Sequence, residues 1–355
     1  RQSNGKAPSS RKIERRSGDA PTPLSFAQQR LWFIQQLEPD SFAYNVFSAL
    51  RLKGPLDIAR LERTLTEVVR RHETLRTVVR GGENSEIEGD REAIASISGD
   101  VIDSSTPGKP AIQVVLPAAP ITLKITDVRS QEDREGENDA LRLSPNTSYA
   151  ANTSYAAGQV LDQNPKSKIQ NSLECLAIAA AQTPFDLTQA LLRLELLRVS
   201  DDDHVLLITV HHIISDRWSV GVFLREMTLL YNAYLEGGAN GNAEGQSPLP
   251  ELPIQYGDWA VWQRQWLQGK VLEDHIAYWT KQLADVPMLQ LPTDRPYPPV
   301  PSYRGDQMAI AISPVQSQSL KKLAAKEGVT LFILLLAAFG ILLHRYSQQD
   351  DVTIG

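Results

Sequence analysis

Two adjacent histidines and a nearby aspartate are the residues whose types and spacing could support catalysis. His211 and His212 end the apolar run HVLLITVHH, and Asp216 follows His212 by four residues. An imidazole titrates at about pH 6.5 and can exchange a proton near neutrality. Because successive side chains of a strand face opposite sides, only one of the two histidines can point into a given site. The structural alternative is two buried histidines and an aspartate that caps a helix beginning near Ser219.

The elements that would position these residues are a hairpin and two amphipathic helices. LLRLELLRVS at 191–200 and HVLLITVHH at 204–212 show the alternation and β-branched content of antiparallel strands, with the acidic turn 201–203 between them. Apolar residues recur at helical spacing in two further segments, which predicts helices that cover the sheet. These stripes are Leu61, Leu65, Val68, Val69 and Leu75 before the hairpin, and Val220, Phe223, Met227, Leu230 and Tyr234 after it. We expect the second helix to end at Gly237-Gly238.

Length and composition restrict the class of protein. A chain of 355 residues exceeds what one hydrophobic core usually holds, so we predict two lobes. The 36 Lys and Arg are interspersed with 42 Asp and Glu, which leaves no basic face for nucleic acid, and we expect no nucleic-acid partner.

The single cysteine, Cys175, excludes an internal disulfide, and we predict a buried thiol in a reducing, cytoplasmic compartment. The apolar stretch 329–346 is too short for a membrane span, so we expect a buried helix, with a membrane helix as the alternative.

Composition also changes along the chain. We predict a tether at 1–21, a first lobe at 22–285, a Pro-rich crossing between lobes at 286–305 and the start of an incomplete second lobe at 306–355. Two polar segments, at about 81–110 and 129–171, are predicted to be surface insertions in the first lobe. The second of these contains the hexad NTSYAA twice in tandem.

Five segments, in order, carry a family resemblance. HHIISDRWS at 211–219 resembles the HHxxxDG signature of condensation domains in non-ribosomal peptide synthetases, which belong to the chloramphenicol acetyltransferase-like superfamily. PLSFAQQRLWFIQQLEP at 23–39 and RRHETLRT at 70–77 resemble the two motifs that precede it. YGDWAVWQRQWL at 256–267 and DRPYPPVPSYRG at 294–305 resemble the two that follow. The resemblance therefore covers residues from the first motif to the Pro-rich crossing.

The resemblance implies a fold and a reaction. The fold would be α/β (α+β), with two acetyltransferase-like lobes in a V and a tunnel between them, the second lobe being truncated here. The α-amine of a downstream aminoacyl thioester would attack an upstream peptidyl or aminoacyl thioester and form a peptide bond. No cofactor would be bound directly, because both substrates arrive on the phosphopantetheine of peptidyl carrier domains, and an adenylation domain would belong to the same module. The first and third motifs resemble the subtype that joins an L-configured donor to an L-configured acceptor.

Roles for individual residues follow from the resemblance by position. His212 would be the catalytic histidine, His211 its inward-packed neighbour, and Asp216 a structural carboxylate paired with Arg76. A free α-amine titrates at about pH 7.7 to 8.0, so part of it is already a neutral nucleophile. His212 would therefore either remove the proton as the bond forms or mainly orient the amine. No metal or cofactor ligands are expected.

The next residues include a departure from the family pattern. Arg217, Trp218 and Ser219 are candidates for lining the tunnel, but position 217 holds Arg where the family has Gly. Glycine there would permit an unusual backbone angle or a close approach of substrate. One alternative is therefore a docking domain that keeps the fold without activity. An epimerization domain is another, although it would have a different first motif and a glutamate-bearing motif in the second lobe.

Overall fold

The computed structural model of the protein describes residues 12–16, 22–81, 111–128, 168–240, 247–296, 299 and 310–354. The chain divides into two units, residues 1–267 and 268–355. The expected insertion at 81–110 lies outside the described residues apart from Gly81, and so does the stretch 129–167 of the second insertion.

Strands and helices are mixed through the first unit. Its described strands are β1 (Thr22–Pro23), β2 (Asn45–Lys53), β3 (Thr77–Arg80), β4 (Ile112–Val115), β5 (Lys124–Asp127), β6 (Leu192–Arg198) and β7 (Asp203–His211). Its described α-helices are α1 (Phe26–Leu37), α2 (Ile58–Arg71), α3 (Lys168–Gln182), α4 (Arg217–Asn240) and α5 (Tyr256–Trp266). A 3-10 turn, Glu73–Arg76, follows α2. The second unit contains α6 (Gly269–Gln282), α7 (Pro314–Lys326) and α8 (Leu331–Ser347).

A four-stranded sheet in the order β2-β7-β6-β5 is the centre of the first unit. β6 and β7 form the predicted antiparallel hairpin, with Leu196 opposite Leu206 and a turn in which the Val199 N–H donates to the Asp203 carbonyl oxygen at 2.8 Å. β2 pairs with all nine residues of β7, whereas β5 runs parallel to β6. A second sheet, β1-β4-β3, is antiparallel. The two sheets with their helices confirm the mixed α/β class.

The central strand β7 is buried on both faces. Leu206 and Ile208 pack into the cluster formed with α2 and α4, whereas Val205 and Leu207 pack against α3. This division follows from the alternation of side chains along a strand. The predicted helical stripes face the sheet: Leu61, Leu65, Val68, Val69, Val220, Phe223, Met227 and Leu230 are buried, and Leu75 and Tyr234 are partly buried.

A buried ion cluster fastens α2 to α4 beside this core. Arg71 Nε lies 3.1 Å from Glu226 Oε2, and His72 Nε2 lies 2.9 Å from the same oxygen. The side chain of Arg71 is 2% exposed, and that of Glu226 is 9% exposed. Burial alone would raise the pKa of Glu226, but hydrogen bonds and charges from Arg71 and His72 outweigh it, so the pKa lies below its ordinary value.

Three boundaries differ from those expected. Helix α4 continues through Gly237 and Gly238, because an interior glycine costs only about 1 kcal/mol relative to alanine. Helix α3 begins at Lys168, inside the segment 129–171 that was expected to be an insertion. The two units divide after Leu267 rather than at 285, which places α6, none of whose residues is buried, in the second unit.

The expected burial of Cys175 is wrong. Its thiol is exposed on α3, whereas Leu173 and Ala177 of the same helix are buried against the sheet. Two residues correspond to about 200° around an α-helix, so Cys175 lies on the side opposite to both neighbours.

The second unit consists of helices that bury few of their residues. Gly328 separates α7 from α8 with a φ of +65°, a conformation that glycine adopts without strain. Helix α8 was expected to be buried, but among its residues only Leu343 is, and Phe332 is 71% exposed. Within the described part of the chain, no single helix is long and apolar enough to cross a membrane; α7 and α8 would meet that test only together, and they are bent by 102°.

Removing the carboxylate of the ion cluster should destabilise the protein. We expect Glu226→Ala to lower the free energy of unfolding by about 3 to 5 kcal/mol, because the buried Arg71 loses its counter-ion. The matched control is Glu251→Ala, whose 62% exposed side chain pairs with the neighbouring Arg70 and should contribute about 0.2 to 1 kcal/mol. Urea unfolding of both variants measures the difference, and equal losses would contradict a special role for the buried cluster.

Candidate active site

His211 and His212 diverge at the end of β7, as the alternation predicts. His211 is 1% exposed and its ring lies 6.0 Å from that of Phe185, edge to face. Its Nδ1 accepts the backbone N–H of Ile213 at 3.1 Å, so this nitrogen carries no proton. Burial, followed by the nearby charge of His212, lowers the pKa of His211 to about 4. His211 is therefore a neutral, inward-facing side chain.

His212 is exposed at the start of the loop that joins β7 to α4. Its backbone N–H donates to the carbonyl oxygen of Tyr44 at 2.8 Å, which attaches the loop to the residue before β2. On the other side, Gln28 Nε2 from α1 donates to the carbonyl oxygen of Ile213 at 3.3 Å. Two separate segments thus hold the backbone of the histidine loop, while the side chain of His212 remains exposed.

Asp216 caps α4 and does not pair with Arg76. Its Oδ1 accepts the backbone N–H of Ser219 at 2.7 Å and the Ser219 hydroxyl at 2.6 Å. Burial acts to raise the pKa of Asp216, but the bonds from Ser219 and the charge of His212 lower it below its ordinary value. Arg76 instead donates from Nη1 to the carbonyl oxygen of Leu116 at 2.5 Å. The predicted ion pair between Asp216 and Arg76 is therefore wrong. Asp216 is exposed and its carboxylate is already bonded to Ser219 at the start of α4, so it needs no buried cation as a partner.

A cavity of about 210 Å³ lies under the histidine loop. Its walls are mainly apolar and are formed by His72, Thr74, Leu75, Leu192, Ile208, Val210, Ile214, Ser215, Trp218, Ser219, Val220, Val222 and Phe223. His212 stands in the chain between Val210 and Ile214, both of which line the cavity. Trp218 lines it while 83% exposed, so this side chain lies at its rim.

Of the three residues after Asp216 that were candidates for lining the tunnel, two line the cavity and one does not. Trp218 and Ser219 line the cavity, whereas Arg217 is exposed and is not among the lining residues. Arg217 is the first residue of α4, and within the described chain the only non-glycine residues with positive φ are Asp285 and Gln348. The backbone at 217 therefore needs no glycine, and arginine is accommodated without strain.

Sequence reasoning missed several residues around the loop. His72 lines the cavity and is held by Glu226, and Gln28 and Tyr44 hold the backbone of the loop. The sequence did contain one indication of these residues. Glu226 is a charged residue inside the apolar stripe of α4, and a charge at a buried position is normally paired with another polar residue. Among the residues that the structure describes, no group of three or more His, Cys, Asp or Glu is placed to hold a metal ion.

The mixed fold and the histidine loop define a domain of the chloramphenicol acetyltransferase-like class. The chain belongs to the condensation domain family, whose model matches residues 20–88 and 150–355. Its relatives include a linear gramicidin synthase of Brevibacillus parabrevis, 40% identical over 341 residues that are 96% of this chain. Phosphinothricin tripeptide synthetase PhsC of Streptomyces viridochromogenes is 36% identical over 95% of the chain. The chain spans 5% and 25% of the lengths of these two proteins.

Solved structures show the same fold. The X-domain in complex with OxyB from teicoplanin biosynthesis is 26% identical, with a TM-score of 0.65 over 96% of this chain and 60% of that one. The first condensation domain of the CDA synthetase is 19% identical, with a TM-score of 0.60 over 94% of this chain and 64% of that one. The second likeness concerns the fold alone. These structures confirm the fold class, and the family match and the relatives identify a condensation domain of the non-ribosomal peptide synthetase type.

Acid should destabilise the fold through His211. Between its ordinary pKa of 6.5 and the folded value of about 4, the unfolded chain binds a proton that the folded protein does not. We therefore expect the free energy of unfolding to fall as pH drops through this window, by about 3 kcal/mol from this residue, and its contribution to level off below it.

Urea unfolding of wild type and His211→Asn from about pH 7.5 to about pH 4 measures this effect, because the difference between the two curves removes the contributions of other groups. Asparagine offers an oxygen to the Ile213 N–H but does not titrate. Parallel pH curves for the two proteins would contradict a buried, neutral His211.

Proposed function

We propose that this domain forms a peptide bond between two amino acids carried as thioesters. The observation that carries the proposal is the exposed side chain of His212, while its neighbour His211 is buried and neutral. In the sequence, His212 stands between Val210 and Ile214, which line the cavity. Only His212 of the pair is free to meet a substrate and exchange a proton. Family membership supports the same reaction class.

The reaction is an acyl transfer from sulfur to nitrogen. The lone pair of the acceptor α-amine attacks the carbonyl carbon of the donor thioester, the C–N bond forms and the C–S bond breaks. The proton lost by the amine ends on the released thiolate, so that a peptide and a free carrier thiol result. His212 orients the amine and takes this proton as the bond forms, which is the work of a positioned imidazole near neutrality. Since the free amine is partly neutral already, a strong base is not needed.

The supporting residues hold His212 rather than touch the substrate. Asp216 caps α4 and so fixes the end of the histidine loop, while His211 anchors its beginning in the core. The cavity beneath the loop, with Trp218 at its rim and Ser219 in its wall, takes an apolar part of one of the two substrates. Arg217 is a surface residue of this site and not one of its walls.

The partners of the domain follow from the same proposal. Upstream and downstream peptidyl carrier domains deliver the donor and acceptor on phosphopantetheine, an adenylation domain loads the acceptor, and the assembly works in the cytoplasm. The domain itself binds no cofactor. The motifs at 23–39 and 211–227 favour the joining of an L-configured donor to an L-configured acceptor.

Substitution of His212 tests the catalytic assignment. We expect His212→Ala in the intact protein to lower product formation by about 100-fold or more. A 100-fold loss is about the smallest effect typical of removing a positioned acid-base group. The melting temperature should not change, because the side chain is exposed. Mass spectrometry of the carrier-bound product, with loaded donor and acceptor carriers, measures the yield.

The control for this substitution is His275→Ala, which removes another exposed histidine from the second unit. It should leave the product yield at the wild-type value. Wild-type yield from His212→Ala would show that this histidine is not catalytic.

A docking domain without activity is the second candidate. The observation that favours it is the likeness to the X-domain, whose structure was solved in complex with OxyB. On this alternative the wild-type protein would form no peptide from two loaded carriers, whereas on the first it would.

A further inference from the structure

The segment 12–16 lies against the first unit through two consecutive arginines that make different contacts. The Arg16 guanidinium contacts two carboxylates: Nη1 lies 3.0 Å from Asp258 Oδ1, and Nη2 pairs with Glu73 Oε2. The backbone N–H of Arg16 also donates to Asp258 Oδ1, at 3.1 Å. Arg15 makes one exposed contact, at 3.4 Å, from Nη1 to the carbonyl oxygen of Leu252. The two neighbours thus form a natural pair for comparison.

The site that receives Arg16 is buried and shaped to its guanidinium. The side chain of Asp258 is 0% exposed, and those of Arg16 and Glu73 are each 12% exposed. Gly257 leaves room for the guanidinium, because a Cβ at that position would lie 2.4 Å from Arg16 Nη1. We call Glu73, Gly257 and Asp258 the arginine socket.

The socket is assembled by its own elements. Asp258 Oδ2 accepts the backbone N–H of Gln255 at 2.7 Å, which caps α5. Gln255 in turn accepts the backbone N–H of Glu73 at 3.2 Å and donates from Nε2 to the carbonyl oxygen of Arg71 at 2.8 Å. None of these bonds involves Arg16, and they connect the segments that carry the two carboxylates. Buried carboxylates of like charge repel each other and lose hydration, so a cation between them is strongly favoured.

The socket also lies close to the cavity along the chain. Glu73 stands between His72 and Thr74, which both line the cavity, and the 3-10 turn that contains Glu73 follows directly from α2. A contact on Glu73 is therefore a contact on the segment that forms one wall of the candidate active site.

We propose that the arginine socket is a docking site for the N-terminal segment, with Arg16 as its anchor. The chain is then fixed to the domain at Arg16, beside the 3-10 turn, and not first at the start of β1. Residues 12–16 then belong to the folded domain. The inference rests on contacts within the first unit and does not depend on the reaction proposed for His212.

Hydrogen exchange of the wild-type protein tests the docking without any substitution. The Arg16 amide donates to a buried carboxylate, so its exchange should be slower than that of an unstructured peptide by about tenfold or more. Exchange at the unstructured rate in the intact chain would overturn the proposal.

Two matched variants test the anchor. Arg16→Ala should raise the exchange rate of the amide at position 16 by about tenfold or more, because a buried charge contact no longer holds the segment closed. Arg15→Ala removes the same charge from the neighbouring residue and should leave that rate unchanged. Equal exchange rates in the two variants would show that the segment is not anchored by Arg16.

Gly257→Ala provides a test from the socket side. The added methyl group displaces the end of the flexible Arg16 side chain and leaves α5 intact, since alanine is a better helix former than glycine. The single variant should therefore show the fast exchange of Arg16→Ala. Adding Gly257→Ala to Arg16→Ala should cause no further change, whereas a wild-type exchange rate in Gly257→Ala would overturn the socket.

Discussion

The burial of β7 on both faces is the constraint on which the rest of the structure depends. Because helices cover both sides of this strand, its apolar side chains enter clusters on opposite faces, and the strand cannot shift by one residue without placing them on the wrong face. Pairing with β2 along its whole length fixes the same register. This register directs His211 inward, whereas His212 is exposed because it lies beyond the end of β7, at the start of the loop.

Segments that are far apart in the sequence surround the histidine loop and hold it by backbone contacts. Gln28 and Tyr44 bind the loop through carbonyl and amide groups, so many side chains are tolerated within the loop itself. The contacts of Glu226 with Arg71 and His72 fasten α4, which follows the loop, to α2 and the residue after it. Most of the residues around the histidine loop thus hold it in position, and very few are available to contact a substrate.

Much of this arrangement could be predicted from the sequence, because it depends on periodicity. The hairpin of β6 and β7 and the stripes of α2 and α4 follow from spacings of two and of three to four residues. The partner of Arg76 could not be predicted in this way, since a long cationic side chain reaches a backbone carbonyl as readily as a carboxylate. The burial of Cys175 was wrongly predicted because cysteine is usually buried, whereas the exposure of this residue depends on which side of α3 it occupies.

The exposed thiol of Cys175 has a practical consequence. It is the one cysteine in the sequence, and it lies on the outer side of α3, the helix that covers the face of the sheet opposite to α2 and α4. A maleimide dye or spin label would therefore attach at a single position without any engineered substitution. The label would stand across the sheet from the cavity, where it could report on distances to labelled partner proteins while leaving the histidine loop unobstructed.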